Sequence, residues 1–502
     1  MPRTTACCLL LICAAMAIPL RAQTFTTIWS FNGKDGTAPS GNLIQGIDGN
    51  IYGTTSGIDF CTGPSVSCGT IFKITPGGSL TTLYSFCSQP NCADGYSPVA
   101  GLALGGSGVF YGTTLSGGAD GDYGTVFQIT PGGTLTSLHS FMGTDGADPI
   151  AGLIQSANGE FYGATNVGGV GANCLLSVGC GTVFKVTPTG TLTTLYDFCT
   201  QANCTDGASP YPTLYEGASG DFYGTNYVYG AYGVGTVFRI SPSGTLTTLY
   251  SFCAQPGCAD GDDVFTGVVE DRNGDLYGTT EFGGDSHPCP DGGSGGCGTI
   301  FQLTLEGTLT TLHKFQNTDG AGPNTLVIGT DGNFYGTTGG GGTSTNCPGG
   351  CGTIFKMTPS GTLTTLYNFC ALSACPDGKA PDAALFQATD GKFYGTTEQG
   401  GISSGDCFND SCGTVFSLDV GLGPFIRALP TSGTVGSGVK ILGTNLTGAT
   451  SVTFNGIPAA FTVERASEIT TTVPTGATTG DIQVVTPNGA LSSNVSFQVR
   501  PL

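Results

Sequence analysis

Seven of the Asp-Gly pairs in this chain recur at one place in each repeat, and their carboxylates form a set of side chains that could act together. Carboxylates arranged in a ring can hold a cation or accept hydrogen bonds from sugar hydroxyls. Each aspartate can instead cap its own turn while the following glycine supplies the backbone angle. Turn capping is the favoured interpretation, because a residue required in every repeat is more often architectural than part of one site. The seven aspartates are Asp35, Asp94, Asp145, Asp206, Asp260, Asp319 and Asp377.

Aromatic side chains outside the repeated motifs are the second set of candidate binding residues. Loops on a rigid scaffold usually carry recognition, so these rings are predicted to contact a ligand. The repeated aromatics, of which Tyr52 and Phe72 are the first copies, are predicted to pack between neighbouring repeats instead. The candidate binding aromatics are Tyr96, Tyr227, Tyr229, Tyr232 and Phe282.

Patterns typical of catalysis are missing from the sequence. It contains no nucleophile with a base and an orienting partner, no histidine-carboxylate metal set and no phosphate loop that opens a helix. We therefore assign no catalytic residue, no metal and no other cofactor. Four glutamates could supply the acid pair of a glycosidase, although a solvated surface is the default for each. They are Glu160, Glu216, Glu270 and Glu398.

The cysteines fall into local pairs. Three of the 21 cysteines lie at the extreme N-terminus, and the other eighteen form nine pairs that appear and vanish together between repeats. The segment from Phe252 to Asp260 contains two cysteines, whereas the shorter segment from Phe315 to Asp319 contains none. This pattern predicts disulfides and an oxidising compartment. The pairs are Cys61 with Cys68, Cys87 with Cys92, Cys174 with Cys180, Cys199 with Cys204, Cys253 with Cys258, Cys289 with Cys297, Cys347 with Cys351, Cys370 with Cys375, and Cys407 with Cys412.

Three short motifs each occur seven times and define the elements that position these residues. Tyr-Gly-Thr-Thr or a close variant first occurs at Tyr52, Gly-Thr-Val/Ile-Phe at Gly69, and a Thr-Leu-Thr-Thr-Leu-Tyr-Ser-Phe-like segment first ends at Phe31. The number of residues between successive copies of the first motif matches the length of one propeller blade. Side-chain character that alternates with a period of two residues predicts four strands, A to D, in each repeat. In the third repeat these strands lie around 149–154, 161–165, 181–187 and 191–198.

The ends of the repeat region complete each other. Residues 24–31 read as a D strand with no A, B or C strand before them, and residues 413–418 read as a C strand with no D strand after them. Pairing the two closes the ring and leaves no open sheet edge. We therefore predict an all-β, seven-bladed β-propeller of four-stranded blades over residues 23–420, with the N-terminal strand closing the last blade.

In such a ring the D-to-A and B-to-C connections emerge at one end, which we call the cysteine-loop end, and the tight A-to-B and C-to-D turns emerge at the other, the turn end. All nine cysteine pairs lie in connections of the first kind. The seven Asp-Gly aspartates precede strand A, so they are predicted to ring the channel mouth at the cysteine-loop end. A ligand is expected there.

The N-terminus and the composition restrict location and partners. Arg3, an apolar run from Ala6 to Leu20 and Ala22 before Gln23 predict a cleaved signal peptide over residues 1–22. This run is too short to span a bilayer. The formal net charge is −20, and no two basic residues are adjacent. Nucleic acid and membrane insertion are therefore excluded as expectations.

After a short linker at residues 421–424, the repeats give way to a different β pattern over residues 425–502. Pro430-Thr431-Ser432-Gly433, Phe454-Asn455-Gly456 and Thr486-Pro487-Asn488-Gly489 follow in order, and the segment resembles an IPT/TIG domain. That resemblance implies an immunoglobulin-like β-sandwich.

The repeats resemble the GloVer (Gloeo-Verruco) tandem-repeat family of exported proteins. The likeness rests on Asp-Gly-Asn-Phe-Tyr-Gly-Thr-Thr at 331–338 and Gly-Thr-Val-Phe-Lys-Val-Thr-Pro at 181–188, and it runs from about residue 24 to residue 418. It implies export and repetition, and it supplies no catalytic residues.

These observations predict a secreted or cell-surface protein, with the periplasm as the other compartment, that binds an extracellular glycan or protein without catalysis. The alternatives are a glycoside hydrolase or lyase with its site at the channel mouth, and a purely structural surface component. Two carboxylates that converge at the mouth would favour the enzyme.

Overall fold

A computed structural model describes residues 23–57, 68–171, 174, 179–284, 289, 295–401, 407 and 412–501. The predicted signal peptide and Cys61 lie outside these residues. Within them the repeat region forms seven antiparallel sheets, and each has its strands in the order A, B, C, D. We number the sheets 1 to 7 by their A strands.

The strands have similar bounds from sheet to sheet. The A strands are Ile44–Gln45, Ala103–Leu104, Ile154–Gln155, Tyr215–Glu216, Val269–Glu270, Val327–Ile328 and Phe386–Gln387. The B strands are Ile51–Thr55, Phe110–Thr114, Phe161–Thr165, Phe222–Val228, Leu276–Thr280, Phe334–Gly340 and Phe393–Thr397. The C strands are Thr70–Ile74, Thr125–Ile129, Thr182–Val186, Thr236–Ile240, Thr299–Leu303, Thr353–Met357 and Thr414–Asp419. The D strands are Leu80–Ser85, Leu135–Ser140, Leu192–Asp197, Leu246–Ser251, Leu309–Lys314, Leu363–Asn368 and, for sheet 7, Thr24–Ser30.

The N-terminal strand completes sheet 7. Thr24–Ser30 pairs antiparallel with Thr414–Asp419, with Thr24 opposite Asp419 and Ser30 opposite Thr414. The predicted pairing of the two ends of the repeat region is therefore confirmed.

The A strands are shorter than predicted. In sheet 3 only Ile154–Gln155 pairs with strand B, whereas the prediction began at Pro149. Proline has no N–H for a ladder, and the carbonyl of Ala151 accepts a bond from the Thr113 hydroxyl of sheet 2 at 3.1 Å. These residues thus join neighbouring sheets instead. Sheets 4 and 6 each gain a three-residue strand, Ala208–Pro210 and Ala321–Pro323.

In the described ranges, helical structure is confined to short turns. Three 3₁₀ turns, Pro90–Cys92, Ala202–Cys204 and Pro256–Cys258, lie between strands D and A. In the part of the chain that the structure describes, no helix has the length and apolar character needed to cross a membrane.

The repeated motifs fold this way because their glycines accept an aromatic ring. Phe72 of strand C lies over Gly53 of strand B, and a Cβ on Gly53 would come within 2.6 Å of its ring. The B strands are buried on both faces, as expected for strands between packed sheets. Tyr52 packs on Phe110 of sheet 2 with ring centroids 4.2 Å apart, so the repeated aromatics lie between sheets as predicted.

Each sheet is bonded to the next around a closed path. The Thr54 hydroxyl of sheet 1 donates to Ala100 O of sheet 2 at 2.8 Å, and equivalent threonines bond sheets 2 to 3, 4 to 5, 5 to 6 and 6 to 7. The Ser156 hydroxyl of sheet 3 donates to Glu216 of sheet 4. The amide of Ala384 in sheet 7 donates to Asn42 of sheet 1 at 3.0 Å, which joins the last sheet to the first.

Disulfides join the cysteine pairs that the structure describes. Eight of the nine predicted pairs are bonded, and the ninth involves Cys61. This many disulfides indicates an oxidising compartment.

The C-terminal residues form two further four-stranded antiparallel sheets and a two-stranded one. A cluster that includes Ile441, Phe454 and Ile482 fills the space between them. The strands are Arg427–Leu429, Ser432–Gly433, Gly438–Leu442, Ser451–Phe454, Ile457–Pro458, Phe461–Arg465, Glu468–Thr472, Ile482–Thr486, Gly489–Ser492 and Gln498–Val499.

Candidate functional site

A cavity of about 860 Å³ opens at the cysteine-loop end, where the segments that lead into the A strands converge. One residue from each of the seven repeats lines it, and all seven occupy the same position in their repeats. This position directly follows a proline in the loop before strand A, or Val264 in sheet 5. These residues differ in every repeat, unlike the motifs around them. They are Ser40, Val99, Ile150, Tyr211, Phe265, Asn324 and Asp382.

The backbone around the proline fixes where this residue enters the cavity. Gly352, which begins the Gly-Thr-Ile-Phe motif of sheet 6, has φ +95°, and a Cβ there would lie 2.5 Å from the Pro381 ring. The glycine therefore leaves room for the proline of the next sheet. The same contact occurs between Gly413 and Pro39, across the seam between sheets 7 and 1.

A second position of each repeat, the residue directly after the Tyr-Gly-Thr-Thr motif of strand B, also faces the cysteine-loop end. Ser56, Leu115, Glu281, Gly339 and Glu398 line the cavity. The equivalent residues of sheets 3 and 4, Asn166 and Tyr227, line an adjoining pocket of about 520 Å³.

Three carboxyl groups converge on one side of the cavity, from sheets 5 and 7. Asp382 faces the water of the cavity and is enclosed by protein on its other sides. Burial, followed by the hydrogen bond and charge of Glu398 and the charge of Glu281, raises the pKa of Asp382 well above its usual range. Burial also raises the pKa of Glu281.

A glycine in sheet 6 makes room for this cluster. Gly339 stands where other repeats have a side chain, and a Cβ on it would lie 2.8 Å from Asp382 Oδ1. A larger residue here would displace the carboxyl group. The gap in sheet 6 thus lets groups from sheets 5 and 7 share one space.

An aromatic wall adjoins the carboxyl groups. Tyr227 stacks on Phe265 with ring centroids 3.9 Å apart, and Tyr211 meets Phe265 edge-on at 5.0 Å. Burial, and then the charges of Glu281, Asp382 and Glu398, raise the pKa of Tyr211. Tyr211 therefore remains a neutral hydrogen-bond donor beside the carboxyl groups at neutral pH.

A further acidic pair stands in sheet 5. Burial, followed by the charge and hydrogen bond of Asp262 and the charge of Glu281, raises the pKa of Asp263 to about 7. Within the described ranges, no lysine, arginine or histidine forms an ion pair with Asp263, Glu281, Asp382 or Glu398. In the described part of the chain, these four carboxyl groups are thus gathered without a basic partner.

The seven Asp-Gly aspartates are placed elsewhere. Asp260 accepts bonds from the Tyr250 hydroxyl of the preceding strand D at 2.8 Å and from the amides of Ala254 and Gln255 in its own D-to-A connection. The other six accept the corresponding bonds from the side chain two residues before the D-strand phenylalanine or from the loop amides. The residues lining the described cavity include none of the seven. The seven carboxylates cap their own turns and face strand D, at the other edge of the sheet from strand A.

The predicted aromatics are divided between the two pockets and the surface. Phe282 lines the cavity, and Tyr227 and Tyr229 line the adjoining pocket. The Tyr96 hydroxyl donates to Asp122 at 3.0 Å. Tyr232 is 57% exposed.

The predicted glutamates separate in the same way. Only Glu398 of the four lines the described cavity. Glu160 pairs with Lys185 at 3.1 Å, Glu216 accepts from Ser156, and Glu270 accepts from the amide of Ala218. These three lie at the turn end and stabilise it.

One cluster has the composition of a metal site. The sulfur atoms of Cys347, Cys351, Cys370 and Cys375 all lie within 4.8 Å of one another. They are bonded as two disulfides, Cys347 to Cys351 and Cys370 to Cys375. A disulfide sulfur is not the thiolate that a metal requires, so these sulfurs brace the loops of sheet 6.

The sequence is also similar to a known family. Residues 14–175, 176–288 and 289–462 each match the Gloeobacter/Verrucomicrobia repeat. The chain belongs to the Gloeobacter/Verrucomicrobia repeat family. Among curated proteins, none matches it.

Solved structures with low identity resemble this member of the Gloeobacter/Verrucomicrobia repeat family. A gluconolactonase from Xanthomonas campestris is 13% identical, with 66% of this chain and 90% of that chain covered and a TM-score of 0.35. PorZ, a surface component of the type-IX secretion system of Porphyromonas gingivalis, is 13% identical, with 90% and 58% covered and a TM-score of 0.44. A protein of unknown function from Bacteroides thetaiotaomicron is 11% identical, with 79% and 76% covered and a TM-score of 0.39.

Five residues of the site in this Gloeobacter/Verrucomicrobia repeat protein were missed by sequence reasoning. The sequence does contain a signal for the cavity residues, because the position after the proline differs in each repeat while the motifs around it stay similar. The repeated aspartates and aromatics instead cap turns and pack between sheets. The missed residues are Tyr211, Asp263, Phe265, Glu281 and Asp382.

Proposed function

We propose that this protein is an exported, non-catalytic binding protein whose ligand, an extracellular glycan, enters the cavity at the cysteine-loop end. In this proposal the seven sheets are the blades of a seven-bladed β-propeller over residues 23–420, and residues 425–502 are an immunoglobulin-like domain of the IPT/TIG type. Residues 1–22 direct export and are removed.

The observation that carries the proposal is the placement of the variable residues. Seven similar sheets each direct one residue, different in every repeat, into the same cavity. Ligand pockets combine aromatic walls with a few convergent polar groups, and Tyr227, Phe265 and Tyr211 stand beside Asp382 and Glu398 in this way. Rings of this kind stack on sugar faces, and carboxyl groups accept hydrogen bonds from hydroxyls.

The convergence of carboxyl groups favours a second candidate, a glycoside hydrolase or lyase, because a carboxylic acid with a raised pKa can act as a general acid. The Asp382–Glu398 pair is hydrogen-bonded, however. Glycoside hydrolases hold their two carboxyl groups about 5–5.5 Å or about 6.5–9.5 Å apart. A hydrogen-bonded pair matches neither separation, so hydrolysis would have to use Glu281, the third carboxyl group of the cluster.

A glycan array tests the two candidates together. We expect the full-length wild type to bind a defined set of oligosaccharides, and Phe265→Ala with Tyr211→Ala to lose that binding at least tenfold. Ser40→Ala, at the same register in sheet 1 and three sheets away from both sheets 4 and 5, is the matched control and should retain binding.

Product analysis of each bound oligosaccharide separates binding from turnover. Intact oligosaccharide after prolonged incubation supports the binding protein. Released fragments that disappear in Glu281→Gln would overturn it in favour of the enzyme. A protein that binds no glycan would instead support the structural surface component.

A further inference from the structure

The C-terminal residues contact the turn end of the ring on one side through sheets 1 and 7. The Ser467 hydroxyl donates to Ile47 O of sheet 1 at 2.7 Å, and the Thr444 and Thr389 hydroxyls, the latter in sheet 7, are hydrogen-bonded at 2.9 Å. The buried side chain of Leu442 joins the apolar cluster beneath the first two sheets. This contact is an apolar patch with a polar edge.

The same C-terminal residues also contact sheet 4. Arg500 Nη2 lies 3.4 Å from Glu216 Oε1, and a Cβ on Gly220, in the A-to-B turn of sheet 4, would lie 3.6 Å from the Arg500 guanidinium. The equivalent turn glycines of sheets 3 and 6, Gly159 and Gly332, have open space around them. Contact is thus restricted to particular turns.

The order of the sheets shows that these contacts lie on opposite sides of the ring. Sheets 1 and 7 are neighbours, and sheet 4 lies three sheets away from each, on the far side of the ring. The A-to-B turns follow the innermost strands, so one compact unit that contacts both sides must cross the axis between them. Arg427 lies on this path, with its guanidinium 4.7 Å from the Phe386 ring and bonded to Gln387 O.

We infer that residues 425–502 form a floor that closes the turn end of the ring, so that the cavity has a single entrance, at the cysteine-loop end. The inference stands on the contacts of the floor and holds whatever ligand the cavity takes. The floor also links sheets 7 and 1, whose junction closes the ring, to sheet 4 on the opposite side.

Cleavage of the folded full-length chain tests this closure. A site for a sequence-specific protease is inserted between Gly423 and Pro424, and the purified protein is cleaved. We expect the two fragments to elute together on size exclusion at micromolar concentration. Arg500→Ala combined with Ser467→Ala should release the C-terminal fragment, whereas Arg272→Ala, an exposed arginine on the turn of sheet 5, should not.

Hydrogen exchange of the cleaved proteins locates the contact. On release of the fragment, amides in residues 46–50, 217–221 and 388–392 should exchange at least tenfold faster, while those in residues 156–160 and 329–333 should keep their rates. Faster exchange at residues 388–392 alone would overturn the inference, because the unit would then hang from sheet 7 without crossing the ring. Separation of the wild-type fragments directly after cleavage would overturn it as well.

Discussion

At the scale of single residues, the repeats separate the residues that build the sheets from the residues that line the cavity. The residues that recur, such as Asp260 and Gly53, satisfy turns and accept packed rings. The residues that differ, such as Tyr211 and Asp382, face the cavity. A substitution should therefore affect either stability or binding, according to the register position it occupies.

Asp260→Ala tests whether the repeated residues affect stability and leave binding unchanged. The fully buried carboxylate accepts bonds from Tyr250 and from two backbone amides, and its removal leaves those donors without a partner. We expect the free energy of unfolding to fall by about 1–3 kcal/mol, as measured by denaturant titration. Ligand binding by the folded variant should match the wild type. A stable variant that loses binding would return this aspartate to the candidate ligand contacts.

Asp263→Asn tests the acidic side of the site. The pKa of Asp263 is raised to about 7, so the folded state holds a proton that the unfolded state releases near pH 4. The wild type should therefore lose stability as the pH rises from about 4 to 7. The variant should lose less over that range, and asparagine also tolerates the positive φ of this position. Melting temperatures at pH 4, 5.5, 7 and 8 measure the effect.

Asp120→Asn is the control for that series, because Asp120 is an exposed carboxylate on a loop of sheet 2. Its curve should run parallel to that of the wild type. If the Asp263→Asn curve also ran parallel, the proton held at Asp263 would have no role in stability.

At the scale of elements, the closing strand depends on its side chains more than the other D strands do, because no hairpin turn ties it to strand C. Phe25 stacks on Tyr367 of sheet 6 with ring centroids 3.9 Å apart and also contacts Phe416. This residue thus attaches the N-terminus to two sheets at once.

Phe25→Ala should lower the free energy of unfolding by about 3 kcal/mol, the usual cost of emptying an aromatic site. Trp29, the single tryptophan, lies on the same strand, so its emission should shift to the red as the strand loosens. Leu135→Ala, at the equivalent position of sheet 2, should leave the emission unchanged. An unshifted Trp29 in Phe25→Ala would show that backbone pairing alone holds the strand.

The strands of the ring could be predicted because their signal is local and repeated seven times. Strand B of sheet 3 was predicted at 161–165 and spans Phe161–Thr165. The carboxyl cluster could not be predicted in the same way. Glu281 and Asp382 lie in different repeats, and they face each other only because Gly339 leaves a gap between them in the closed ring. Their proximity is a property of the ring and of no single segment.

At the scale of the whole molecule, closure makes the sheets interdependent. In an open array, repeats unfold from the ends inward and the terminal ones are least stable. Here sheet 7 is bonded to both sheet 6 and sheet 1. We expect slowly exchanging amides in sheets 4 and 7 to reach the same limiting free energy of opening in native-state hydrogen exchange. A markedly lower value for sheet 7 would mean that the ring opens at its seam before it unfolds.

The pairing of Thr24–Ser30 with Thr414–Asp419 also imposes an order in time. A ribosome makes the chain from the N-terminus, so the first strand of the ring exists long before its partner is translated. Throughout that interval it presents unpaired N–H and C=O groups, which invite association with other chains. The first strand of the ring to be made is thus among the last to be paired, and it stays exposed until residue 419 has emerged.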